Sequence, residues 1–114
     1  MNIENIRKDP KRIEVEAIMK YWPDKIPVIM RKEEKSKMQT LEKPKFLCPK
    51  EFSVLQFLVY LRKKTNLPKK SALFVFAKKG EILSGDKMMI DVYQRCAADD
   101  GFLYLTYGEH AAYG

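Results

Sequence analysis

The sequence predicts an α+β roll, two helices packed on one mixed sheet, with a further helix leading into it. Three observations predict it. Segments with apolar residues at helical spacing alternate with short β-branched or aromatic runs, so helices and strands interleave along the chain. The length, 114 residues, fits one domain, and two halves would each be too small to bury a good core. Hydrophobic residues make up 46% and charged residues 32%, a globular rather than a disordered balance. No unbroken apolar run approaches the ~20 residues that cross a bilayer. The N-terminus, Met1 to Lys8, carries charge from Glu4 and has no apolar core, so no secretory signal is expected.

The first helix is expected over about residues 10–21. Asp9 can cap free N–H groups, Pro10 suits the first helical position, and Ile13, Ala17, Ile18 and Tyr21 recur as one apolar stripe. Trp22-Pro23-Asp24 stops it. Ile26 to Arg31 reads as a strand with Pro27 near its start, where a missing N–H is tolerated. The mostly polar residues 32–44 read as a loop. Lys45 to Cys48 is a short strand bracketed by Pro44 and Pro49, the mark of a sheet edge.

Ser53-x-x-Gln56 is a capping box ahead of Val54, Phe57, Leu58 and Leu61, and Arg62-Lys63-Lys64 suits the negative end of the helix dipole, so a helix is expected over about 54–65. Ala72 to Ala77, apolar on both faces, reads as a central or well-covered strand. Lys79-Gly80 turns the chain into a short return strand, Glu81 to Leu83. Gly85-Asp86 is expected to cap another helix, with Met89, Ile90, Tyr93 and Cys96 on one side, ending at the Asp99-Asp100-Gly101 turn. Phe102 to Tyr107 is the last strand. Without its first helix this is the element order of a ubiquitin-like β-grasp with a mixed four-stranded sheet. One domain is expected over 1–114, with an arm of about residues 1–8 and a tail over 108–114.

Charge is uneven. Residues 1–79 hold 20 basic and 9 acidic side chains, and residues 80–114 hold 2 and 6, within a net charge of +7. The basic part favours acidic partners, or is a solvated surface that keeps the chain soluble. Two cysteines, Cys48 and Cys96, lie far apart with no C-x-x-C, which argues against a disulfide framework or a zinc site and for a reducing compartment. Both read as packing cysteines. The single histidine, His110, stands near the C-terminus, and there is neither G-x-G-x-x-G nor a phosphate loop. No catalytic residue, metal ligand or bound cofactor is expected, and the chain does not read as an enzyme.

A small basic nucleic-acid binder is an alternative on charge alone. It is disfavoured because the aromatics mostly fall inside strand and helix patterns and look like core rather than stacking platforms. The 45–48 strand supports a different reading. An exposed edge offers unpaired N–H and C=O groups to an incoming extended peptide. Peptide side chains of one parity would enter two neighbouring pockets, and Lys43, Lys45 and Lys50 would favour acidic residues on it. The competing reading is an edge whose charges only prevent aggregation. The terminal Tyr113-Gly114 adds an unhindered carboxylate that a narrow enzyme channel could admit.

Five segments in order resemble the autophagy ubiquitin-like modifier family, that of the GABA-receptor-associated protein and the microtubule-associated light-chain modifiers. They are Tyr21 to Ile29, Lys45 to Pro49, Phe57 to Lys64, Asp100 to Tyr104, and Tyr113-Gly114. The resemblance covers about residues 9–114. Departures are a shorter arm with Lys8 near a family Phe, Trp22 in place of Tyr, Cys48 in place of Val, and one extra residue near Gly80.

The resemblance implies conjugation of the Gly114 carboxylate to phosphatidylethanolamine by activating and conjugating enzymes, the lipid being a covalent modification rather than a cofactor. A cysteine protease would remove residues beyond Gly114 and release the conjugate. A related modifier joined to a protein lysine is the alternative within the family. It further implies docking of aromatic-x-x-aliphatic peptides from cargo receptors. The aromatic pocket maps to Glu14, Ile18, Pro27, Lys45, Leu47 and Phe102. The aliphatic pocket maps to Phe46, Cys48, Pro49, Phe52, Phe57 and Tyr60. Lys25, Lys43, Lys45 and Lys64 would meet acidic flanks. A monomer is expected, cytoplasmic and on autophagosome membranes when lipidated, with no nucleic-acid partner.

Overall fold

The computed structural model describes residues 9–111, apart from residues 69 and 71 and the side chain of Lys79. The expected arm over 1–8 and the residues Tyr113 and Gly114 lie outside the described residues. The elements run α1 (Pro10–Tyr21), β1 (Lys25–Lys32), β2 (Lys45–Pro49), α2 (Val54–Lys64), β3 (Phe74–Phe76), a 3-10 turn (Lys78–Gly80), α3 (Met89–Cys96) and β4 (Leu103–Gly108). Four strands form one mixed sheet in the order β2-β1-β4-β3. β1 and β4 are parallel neighbours at its centre, and the two hairpin-like pairs outside them are antiparallel.

The sheet is covered on both faces. Ile26, Val28 and Met30 of β1 and Leu103, Leu105 and Tyr107 of β4 point into the main core with Phe57 and Leu61 of α2 and Met89, Val92 and Cys96 of α3. The alternate residues Ile29 and Phe102 face the other way and pack on Val15 and Ile18 of α1. This period-2 division of one strand between two layers is what a sheet covered on both faces requires.

Local signals set most boundaries. The Asp9 carboxylate accepts from Lys11 N at 3.0 Å, with Pro10 at the first helical position. The capping box closes both ways: Gln56 N donates to Ser53 Oγ at 3.2 Å, and Ser53 N donates to Gln56 Oε1 at 2.8 Å. Two further free amides of α2 are satisfied from outside it, since Val54 N donates to Lys87 O and Leu55 N to Gly85 O.

Several expectations change. The apolar stripe of α1 is rotated: Val15 and Ile18 are buried, whereas Ile13, Ala17 and Tyr21 are exposed. A 12-residue helix carries two candidate rows, and only the one facing Phe102 finds a partner. The aromatics are mostly buried or half-buried, as expected, and among the described ones Tyr21 and Trp22 are exposed. β3 is an edge strand, not a central one, and is shorter than expected. It is apolar because the following segment folds back over it, Leu83 N donating to Val75 O and Ala77 N to Glu81 O.

That segment, Glu81 to Leu83, is not a strand. It makes a single bridge, Ile82 to Phe76, before the chain turns away to serve the α2 N-terminus. Gly85-Asp86 therefore caps nothing on α3; Met88 is its N-cap, with no side-chain bond. Gly108 belongs to β4, paired with Phe74, rather than to the tail.

The 32–44 connection is more ordered than its polar composition suggests. Ser36, Met38 and Leu41 are buried in it. Tyr107, fully buried on β4, donates its hydroxyl to Gln39 O at 2.7 Å and accepts from Leu41 N at 3.2 Å. Tyr107→Phe keeps the ring but leaves both backbone groups without this partner, so a loss of about 1–3 kcal/mol in unfolding free energy is expected. Urea denaturation measures it, and an unchanged midpoint would remove the hydroxyl's role in holding the loop.

Candidate functional site at the β2 edge

β2 is the open edge of the sheet on the side away from β3. Its backbone polarity can be worked out from its neighbour. Met30 N donates to Pro44 O at 2.8 Å and Lys50 N donates to Asp24 O at 3.0 Å, while Glu33 N donates to Tyr107 O on the opposite side. Even-numbered donors of β1 thus face β2, and odd-numbered ones face β4. Pro27, which has no N–H, falls in the odd set ahead of the parallel ladder that starts at Val28. Ile26–Cys48 and Val28–Phe46 are then the hydrogen-bonded pairs. The N–H and C=O groups of Lys45 and Leu47 point outward, a template for an added strand.

The side chains along this edge divide between the two faces. Leu47 packs with the α1 layer, while Phe46 and Cys48 belong to the main core. On the α1 side, Glu14, Ile18, Lys45, Phe46, Leu47 and Phe102 line a cavity of about 230 Å³. Five of these were expected together. Pro27 is buried and does not line it, and Phe46 takes its place. Lys45 Nζ bonds both carboxylate oxygens of Glu14, at 2.8 and 3.1 Å, and lies 5.7 Å from the Phe102 ring centroid. Both partners are substantially exposed, so the pair contributes only about 0.2–1 kcal/mol and can exchange partners cheaply.

On the α2 side, a larger cavity of about 450 Å³ is lined by residues that include Leu41, Lys43, Lys45, Phe46, Tyr60 and Lys64. The six residues expected for an aliphatic pocket do not gather around it. Phe46 and Tyr60 line it, with rings 6.4 Å apart edge to face. Cys48 and Phe57 have no exposed surface and lie beneath, while Pro49 and Phe52 are half-buried and outside the lining. Burial pushes the Cys48 thiol up to about 12, with Lys25 opposing and Glu51 adding to the shift, so the sulfur is packing rather than nucleophile.

Lys43 and Lys64 meet at the larger cavity, together with Lys45. Lys25 stands at the other end of β2, paired with Pro49. The pattern missed Leu41, Glu42, Thr65 and Asn66. The apolar Met38 and Leu41 in a mostly polar run were the sequence signal that this segment packs, and nothing comparable marked Thr65 and Asn66.

The two cavities lie on opposite faces of the sheet, which corrects the expectation of same-parity neighbours. In an added strand, residues of opposite parity reach them, and a spacing of three satisfies that. The arrangement can dock one extended segment by backbone pairing and hold it by two side chains, one per face.

A mixed β2-β1-β4-β3 sheet with α2 and α3 on one face and an added helix on the other defines a ubiquitin-like protein with an N-terminal helical extension. Residues 10–114 match the family described as "Autophagy protein Atg8 ubiquitin like". The chain is 36% identical to Autophagy-related protein 8 of Coccidioides immitis over 107 residues, covering 93% of this chain and 90% of that one. It is 35% identical to Autophagy-related protein 8e of Arabidopsis thaliana over 106 residues, covering 93% and 86%. The crystal structure of Trypanosoma brucei ATG8 superposes with a TM-score of 0.85 at 33% identity, covering 93% and 90%. The chain belongs to the Atg8 family of ubiquitin-like autophagy proteins.

Proposed function

We propose that this chain is a modifier conjugated through Gly114 to phosphatidylethanolamine, and that its β2 edge recruits cargo receptors to the growing autophagosome membrane. The observation that carries the docking half is the outward backbone of Lys45 and Leu47 between two cavities on opposite faces. An aromatic residue enters the Leu47–Phe102 cavity. The aliphatic residue three positions on enters beside Phe46 and Tyr60, and acidic flanks meet Lys43, Lys64 and Lys25. Each buried anchor contributes roughly 1.5–3 kcal/mol before ordering costs, consistent with affinity on the order of micromolar for a short peptide.

Family membership supports the conjugation half. An activating enzyme adenylates the Gly114 carboxylate with ATP and releases pyrophosphate, a thiol displaces AMP to give a thioester that passes to the conjugating enzyme, and the lipid amine displaces that thiol to form an amide. This chain is the substrate in each step. No described helix is long and apolar enough to cross a membrane, and two acyl chains supply a stable anchor where one would hold only marginally. Basic side chains add attraction to anionic headgroups.

Removing Gly114 is expected to abolish the lipidated species in cells while leaving the fold intact. Intact-mass measurement of protein recovered from membranes checks it: persistence of a phospholipid adduct on the truncated chain would refute the mechanism.

A further inference from the structure

β4 leaves the sheet beside the 32–44 connection, and three ties join the two. Glu33 N donates to Tyr107 O at 2.8 Å. The Tyr107 hydroxyl donates to Gln39 O and accepts from Leu41 N. Glu109, the first residue after β4, reaches a partner 72 residues away: its Oε2 accepts from Lys37 N at 3.0 Å. The first two ties belong to the strand. The third grips the segment that ends in Gly114, at a residue five positions before it.

The turn that donates this bond is itself fixed. Ser36 is buried, its N–H donates to Glu33 O at 2.9 Å, and its hydroxyl accepts from Met38 N at 3.0 Å. Met38 is buried as well. The Lys37 amide is therefore held between two seated neighbours and aimed at the start of the tail. Its acceptor is a carboxylate, and a charge-assisted bond is stronger than a neutral one. The bond is nevertheless exposed, and surface substitutions of this kind shift stability little. Its consequence is directional: it turns the chain toward the 35–38 turn as soon as the sheet ends. A terminus that starts from an ordered root loses less freedom when an enzyme channel takes it up.

We infer that Glu109 is a positioning residue for conjugation, its carboxylate on the Lys37 amide setting the direction in which the Gly114 carboxylate is presented to the activating enzyme. This rests on the conjugation function proposed above and adds a residue to it.

The test uses the full chain and the activating enzyme purified from the same organism, with ATP–pyrophosphate exchange as the readout. Glu109→Ala is expected to raise the KM for this chain about fivefold and to leave kcat within about twofold. Glu109→Gln keeps an oxygen acceptor and is expected to retain most of the wild-type KM, whereas a charge contact between Glu109 and the enzyme would be lost in both. Lys37→Pro removes the donor and leaves the carboxylate. It is expected to match Glu109→Ala, and the double variant to be no worse than either. Circular dichroism verifies that the variants are folded. Hydrogen exchange at the Lys37 amide, followed by NMR, gives a reading that needs neither the enzyme nor the proline variant, and Glu109→Ala is expected to speed it about tenfold. Unchanged exchange there, an unchanged KM in Glu109→Ala, a Gln variant as impaired as the Ala one, or additive effects in the double variant overturns the positioning role alone. Failure of the wild type to support pyrophosphate exchange overturns the conjugation function and the positioning role with it.

Discussion

Replacing Leu47 with Arg is expected to weaken binding of an aromatic-x-x-aliphatic peptide by at least about 50-fold, which corresponds to ~2.3 kcal/mol. Leu47 is half-buried on the α1 face, and its side chain forms one wall of the smaller cavity beside Ile18 and Phe102. Arginine would remove that apolar wall and put a guanidinium where the peptide's aromatic ring must be desolvated. It would also crowd Lys45, whose ammonium already lies over the Phe102 ring. The backbone has no reason to move. The ladder to β1 runs through Phe46 and Cys48, and an edge side chain can swing into solvent.

Thermal unfolding should therefore shift little while titration shows the loss. Leu47→Ala, which opens the cavity without blocking it, is expected to cost about tenfold, or ~1.4 kcal/mol. Unchanged affinity in a folded Leu47→Arg protein would take the aromatic anchor out of this cavity.

How much of this could be read in advance differs between fold and site. The α2 helix was legible because its signal is local: Ser53 and Gln56 bond each other's backbone across three residues, whatever packs outside. β2 was legible as an edge because proline on both sides removes donors, a covalent property. The stripe of α1 was not, since Ile13-Ala17-Tyr21 and Val15-Ile18-Met19 are both apolar at helical spacing. The choice between them is made by Phe102 and Leu47, distant in sequence. The return strand failed for a similar reason, its hydrogen bonds after Leu83 being claimed by the amides of Val54 and Leu55.

At the site, residue identities were easier than their arrangement. Parity along β2 separates Leu47 from Phe46 and Cys48, but assigning each set to a layer needs the order of strands and the position of α1. Lys43 was read from the sequence, but Leu41 and Glu42 were not placed at the site, because the connection that carries them is held by the phenol of Tyr107, whose sequence neighbours say nothing about it. An amphipathic pattern reports that a face is buried, not which distant segment covers it.

The docking of α1 onto the sheet, on which the smaller cavity depends, turns on Gly101. Gly101 has φ +93° and sits under α1: a Cβ there would come within 2.6 Å of Val15 Cγ1 and 3.2 Å of its Cβ. Gly101→Ala therefore meets two costs, a backbone conformation that L-residues adopt with strain and an overlap with a β-branched side chain that has one preferred rotamer in a helix. A loss of about 2–4 kcal/mol in unfolding free energy is expected. The turn cannot easily yield. Tyr93 donates its hydroxyl to Gly101 O at 2.7 Å, and Asp100 Oδ1 accepts from Phe102 N at 2.8 Å.

The helix gives instead, and with it go the Arg12 bond to Asp99 O and the Lys11 bond to the Tyr104 hydroxyl. Glu14 and Ile18 then leave the cavity, so peptide affinity is expected to fall along with stability, although neither Gly101 nor Val15 lines it. A double-mutant cycle separates the two costs. Val15→Ala removes both γ-methyls, and Gly101→Ala should then cost measurably less than in the wild-type background, the remainder being backbone strain. Equal costs in the two backgrounds would mean that φ alone constrains this glycine. Wild-type peptide affinity in Gly101→Ala would mean that α1 stays seated despite the overlap.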